Sequence, residues 1–173
     1  MFGMLNMAKM PYASSVVLFD NNFTDHPHFD NIIDELVDFG LPVDIHGLHV
    51  NNFTRHHAKR FSELKWCSQG EKGIPYLRFS FDKLKYADGI HRAFRYVINE
   101  DVKAQFFCYL LYNWMDTPDG FWKRIQITQE IVDNIGETIF LFPQRYEPLN
   151  ALERNQYIGK HWNEKLVIGV SRL

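Results

Sequence analysis

The sequence predicts an α/β fold: an open, curved sheet of about five parallel strands with helices on its outer face. Three observations carry this. Strand-like apolar runs recur every ~30 residues, the spacing of a strand–helix–strand unit. Each gap holds one amphipathic run with helix start and stop signals. The 173 residues suit one domain, and 46% of them are hydrophobic, 16% aromatic, enough to build its core. A closed eight-stranded barrel takes roughly 250 residues, more than this chain offers.

The elements follow in order. "SVVLF" (15–19) reads as the first strand. "HPHFDNIIDELVDFG" then places Phe29, Ile32, Ile33, Leu36 and Val37 at helical spacing, with Gly40 as the stop. "PVDIHGLHV" (42–50) is strand-like, and in the following helix Thr54 is the N-cap with Phe53 and Ala58 placed as a hydrophobic staple. "YLRFSF" (76–81) is the third strand. Behind Asp88, Ile90, Ala93, Phe94, Val97 and Ile98 share a helical face. "AQFFCYLLY" (104–112) is a near-continuous apolar strand. The next helix has Thr117 as N-cap, Pro118 at its first position, Gly136 past its end, and a stripe of Phe121, Ile125, Thr128, Val132 and Ile135. "TIFLFPQRY" (138–146) is the fifth strand, and "LVIGV" (166–170) reads as a strand or a docked segment. Successive connections should be right-handed.

Composition excludes several classes. Net charge is −2, from 19 basic and 21 acidic residues without a basic run, so nucleic acid is not indicated as a partner. No run approaches the ~20 apolar residues of a membrane span. The first ten residues carry four Met and one Lys but no signal-peptide core, so a cytoplasmic location is expected. Two cysteines, Cys67 and Cys108, are far apart, which fits a loop thiol and a packed core thiol rather than a disulfide framework or a four-cysteine metal site. The histidines are poorly spaced for a metal: His46 and His49 point to opposite faces of a strand, and His56 and His57 are adjacent on a helix. His26 and His28 flank a proline at a helix start.

In parallel α/β folds, chemistry collects at the carboxyl ends of the strands. Here those ends carry Asp20, Asn21 and Asn22; His49, Asn51 and Asn52; Ser80 and Asp82; Tyr112, Asn113 and Asp116; and Arg145, Glu147 and Asn150. Such residues also cap helices and make turns. A polar ligand pocket and a set of caps are both compatible with the pattern.

Four stretches, "VVLFDNNFTDHPHFDNIIDEL", "YLRFSFDKLKYADGIHRAFRYVI", "FCYLLYNWMDTPDGFWKRIQI" and "FPQRYEPLNALERNQYIGKHW", resemble successive pieces of radical S-adenosylmethionine proteins, across residues 14–163. The resemblance implies an open partial (βα) barrel of that type. It implies S-adenosylmethionine as cofactor, cleaved reductively by a [4Fe-4S] cluster to a 5′-deoxyadenosyl radical. Carried over by position, Asp20, Asn21 and Asn22 stand where the family binds the methionine amino group. Ser80 and Asp82 stand at the ribose or carboxylate, Asn113 near the adenosyl part, and Arg145 and Glu147 at the adenine edge. No catalytic residue is assigned.

The family's Cys-x3-Cys-x2-Cys motif has no counterpart here. The strands match family strands two to six, and the first βα unit is lacking. The expectation is therefore a truncated or split form that does not ligate the cluster itself, with an N-terminal half or partner chain and an unknown substrate as partners. The alternative is a non-catalytic half-barrel binding or assembly module. A flavodoxin-like domain, the third reading, would want a clustered acidic pocket and a Lys at the last strand, where "PQRYEP" has Arg145. The organisation expected is an irregular segment (1–13), the partial barrel (14–150) and a tail (151–173). The lacking strand predicts an unpaired apolar edge beside residues 15–20.

Overall fold

The computed structural model describes residues 13–68, 73–151 and 153–172, so the irregular segment expected at 1–13 lies, but for Ala13, outside the described residues. The strands are β1 (Val16–Phe19), β2 (Val43–His46), β3 (Leu48–His49), β4 (Tyr76–Ser80), β5 (Gln105–Tyr112) and β6 (Ile139–Arg145). The helices are α1 (Phe29–Phe39), α2 (Arg55–Ser62), α3 (Ala87–Asn99), α4 (Pro118–Ile135) and α5 (Glu164–Val170).

Each of these strand pairings is parallel, and spatial order follows chain order: β1 pairs with β2, and β3, β4, β5 and β6 pair in sequence. A flavodoxin-like sheet would bury its first strand between the second and third. Here β1 pairs only with β2, at the edge. The parallel strands pair in chain order, β1 with β2 and β3 through β6 in sequence, with helical connections among them.

The expected strand 42–50 is broken in two at Gly47. Its φ is +85°, and a Cβ there would lie 1.6 Å from the Asp20 carbonyl oxygen, so the chain leaving β1 rests directly on this residue. Below the break, β2 and β4 share no hydrogen-bonded ladder. The Val43 amide donates to the Lys65 carbonyl (2.7 Å) and the Cys67 amide donates to the Val43 carbonyl (2.9 Å), so residues 65–67 enter the gap as a one-bridge strand. Arg78 of β4 reaches across to Asp44 of β2 and closes it with an ion pair.

Helix boundaries follow their local chemistry. Thr54 caps α2 in a reciprocal box with His57. The Thr117 hydroxyl accepts from the Gly120 amide at 3.1 Å, and Gly40 and Gly136 close α1 and α4 in the left-handed region. Two expectations change. "LVIGV" belongs to helix α5, not a strand: Asn163 caps it by accepting from the Leu166 amide (3.0 Å), and Val167 and Val170, one turn apart, are buried. In α4 the fully buried stripe is Phe121, Arg124, Thr128 and Ile131, while Ile125, Val132 and Ile135 are only partly covered.

The sheet has two unlike faces. On one, Val43, Ile45, Leu77, Phe79, Phe106, Cys108 and Leu110 are buried under the helices, with Phe53 against Phe79 (4.9 Å) and Phe94 against Phe106 (5.1 Å). The other carries Tyr76, Arg78, Phe107, Tyr109, Phe140 and Phe142. Their ring contacts, among the described residues, are with one another. Phe142 is 48% exposed and Phe19, at the edge, 80%.

Candidate functional site

The carboxyl rim of the sheet divides into three groups of polar residues. At the β1 and β3 ends, Asn22 is a tie between loops. Its side-chain oxygen accepts from the Thr24 hydroxyl (2.9 Å) and the His49 amide (3.3 Å), and its Nδ2 donates to Asp25 (2.6 Å). Asp25 also receives Nδ2 of Asn52 at 2.6 Å, which joins the two loops. Asp20 and Asn21 are exposed beside this knot. Asp20 accepts the Asn22 amide (3.0 Å) through Oδ1, and among the described residues Oδ2 has no donor.

At the ends of β3 and β4, His49 and Ser80 are register partners in the parallel ladder. Asp82, two residues on, has Ser80, Leu111, His49 and Arg124 around its carboxyl. Burial pushes its carboxyl above the ordinary range, and these four neighbours only partly offset that. The His49 ring meets Tyr86 edge-on at 4.6 Å, and its Nδ1 accepts from the Asn51 amide (3.2 Å).

Arg124, unflagged in the sequence, organises the neighbouring strand ends. It donates to the carbonyls of Phe81 and Leu111 and to Asp116, each at 2.7 Å, and is almost fully buried. Burial lowers its pKa, with Asp116 and Asp82 opposing. Its one sequence signal was its place one turn from Phe121 and Thr128. Beside it lies a cleft of about 290 Å³, lined by Asp82, Lys83, Leu84, Trp114, Met115 and Asp116 among others.

At the β5 and β6 ends, Asn113, Arg145 and Glu147 hold the tail. Asn113 is buried with φ +65°; its Nδ2 donates to the carbonyls of Tyr157 (2.8 Å) and Tyr146 (3.4 Å), and its Oδ1 accepts from the Gly159 amide (2.7 Å). Arg145 donates to the carbonyls of Asn155 (2.9 Å) and Tyr157 (3.0 Å), and Glu147 accepts the Asn155 amide (2.5 Å). The structure therefore brings Ser80 and Asp82 together, leaves Asp20 and Asn21 open to solvent, and engages Asn113, Arg145 and Glu147 with the chain itself.

The histidines also act locally. His56 faces Asp30 at 2.9 Å, His57 completes the α2 cap, and His46 lies 3.4 Å from Asp44. Burial, then the neighbouring His56, lower the pKa of His57.

The residues present do not fit a [4Fe-4S] cluster. The chain has two cysteines, one short of the three thiolates required. Cys108 points into the core under the helices, and burial pushes its thiol far up; Cys67 is half-buried beside Val43, its thiol also raised by burial. No three His, Cys, Asp or Glu among the described residues are grouped to hold a metal ion. Nor, among them, is any helix long and apolar enough to cross a membrane. The chain matches no protein-family model, and no curated protein sequence matches it.

Proposed function

We propose that this chain forms the S-adenosylmethionine-binding wall of a radical S-adenosylmethionine-type half barrel, with cluster thiolates supplied by other than its own cysteines. One observation carries the reading: parallel strands paired in chain order, with Asp20 and Asn21 exposed at the end of β1 and Ser80 and Asp82 at the end of β4. Asp20 and Asn21 offer oxygen acceptors to the ligand's ammonium, which loses water on entering and needs them already in place. Ser80 and Asp82 offer a hydroxyl and a carboxyl to the ribose. Asn113, Arg145 and Glu147 contribute by fixing the tail that borders the adenine edge rather than through free side-chain groups.

An NMR titration tests this. S-adenosylmethionine should shift the resonances of Asp20, Asn21, Ser80 and Asp82 saturably. Absence of shifts at millimolar ligand would overturn it. A second reading, a non-catalytic binding or assembly module, is favoured by the exposed rings of Phe19, Phe140 and Phe142. Light scattering separates the two: a stable complex or self-association abolished by Phe142→Asp, without S-adenosylmethionine binding, supports the module.

A further inference from the structure

We propose a second ligand site, distinct from the Asp20 and Asn21 group but sharing the Asp82 wall with the S-adenosylmethionine reading, in the cleft between the β4–α3 connection and the start of α4, taking a flat aromatic anion. The cavity is about 290 Å³, near the lower size of small-molecule pockets. Two of its walls are apolar and exposed: Met115 is 75% exposed and Leu84 39%. The Trp114 indole forms a third wall, backed on the strand-end side by Tyr146 at 5.8 Å between centroids.

The charges select the ligand. Asp116 is neutralised: its Oδ2 accepts from Arg124 (2.7 Å), and its Oδ1 from Nε1 of Trp162 and the Trp114 amide, both at 3.2 Å. Arg124 is in turn saturated by Asp116 and two carbonyls. Asp82 is largely buried, and burial favours its neutral form, with Arg124 and His49 opposing. Lys83 remains. It is exposed, no carboxylate of the described residues lies within ion-pair distance, and its Nζ stands 5.0 Å from the centre of the Trp114 ring.

An exposed ammonium over an indole is a weak contact that an anion readily outcompetes. A planar ring entering the cleft takes the place of the ammonium on the Trp114 face, packed by Leu84 and Met115. Lys83 then closes on the ring's anionic substituent. A carboxylate or a phosphate both satisfy this geometry, since lysine acts as a point charge.

Calorimetry on the full chain with indole, indole-3-acetate and 1-naphthyl phosphate tests the assignment. Both anions should bind about tenfold tighter than indole, the size of one charge-assisted contact. The anion that gains most identifies the natural substituent. Lys83→Gln, at an exposed position, should erase the gain and leave indole unchanged; Trp114→Leu should weaken all three. Asp20→Asn should change none of them, so failure here is distinct from failure of the S-adenosylmethionine reading. The proposal is overturned by equal affinity for indole and the anions, or by a gain that survives Lys83→Gln.

Discussion

The Arg124 guanidinium, buried in α4, donates to the Asp116 carboxylate at 2.7 Å while also capping the carbonyls that end β4 and β5. This pair holds the rim loops in register with the helix layer. Arg124→Met should leave the partly buried Asp116 carboxylate without its cation, with only the Trp114 amide and Trp162 indole donating to it, and deprive the Phe81 and Leu111 carbonyls of this donor. The expected cost is about 3–5 kcal/mol. Urea denaturation measures it, and a loss below about 1 kcal/mol would show the pair to be incidental.

Gly47→Ala should be among the most damaging single-methyl changes in the chain. The added carbon meets the Asp20 carbonyl at 1.6 Å, at a backbone φ of +85° that alanine adopts poorly. The Asp20 loop must move. Expected are a stability loss of more than about 2 kcal/mol and weakened ligand binding at the rim. Thermal denaturation with far-UV circular dichroism checks the first, and wild-type behaviour would contradict the close approach.

The tail should detach when its anchor is lost. A Cβ on Gly159 would lie 2.7 Å from the carbonyl oxygens of both Asn113 and Trp114. Gly159→Ala and Asn113→Ala should both raise amide exchange across residues 155–162 and leave β4 protected. Equal exchange in β4 would mean the tail is part of one cooperative unit with the sheet.

Asp82 predicts a pH effect with a definite sign. Its folded pKa is raised by burial, so the protonated form is the one the fold favours. That contribution is fully present below the ordinary carboxylate pKa of about 4 and is lost as pH rises through the folded value. Asp82→Asn should therefore stabilise the protein at neutral pH, with the advantage fading below about pH 4. Urea midpoints at pH 7 and pH 3.5 measure it; a neutral-pH loss would show that the carboxylate's partners outweigh its burial.

What the sequence disclosed and concealed has physical causes. The long strands and first four helices were legible from their apolar period, helped in α1, α2 and α4 by a cap or a glycine stop, as Thr117, Pro118 and Gly136 show for α4. α5 was not, because "LVIGV" is too short for periodicity to separate helix from strand, and the deciding group is Asn163 outside the run. The break at Gly47 depends on the distant Asp20 carbonyl, which no local pattern reports. Polar residues at strand ends were legible as a class but not by task. Asn113 and Asp20 look alike in sequence, yet one is buried and bonded to the tail and the other is exposed. Arg124 was hidden because a cation in a buried stripe is recognisable only once its carbonyl partners are in place.

The most direct test of the account is calorimetric titration of S-adenosylmethionine into the full chain and into Asp20→Asn, with His49→Ala as control. Asp20 presents a carboxylate oxygen that accepts nothing from the described residues, whereas the His49 ring is occupied with Asn51 and Tyr86. Removing the charge at Asp20 should cost one charge-assisted hydrogen bond, about 1.5–3 kcal/mol, or roughly one to two decades of affinity. The account predicts that loss for Asp20→Asn and little change for His49→Ala. No saturable binding by the wild type, or full affinity in Asp20→Asn with loss in His49→Ala, would contradict it.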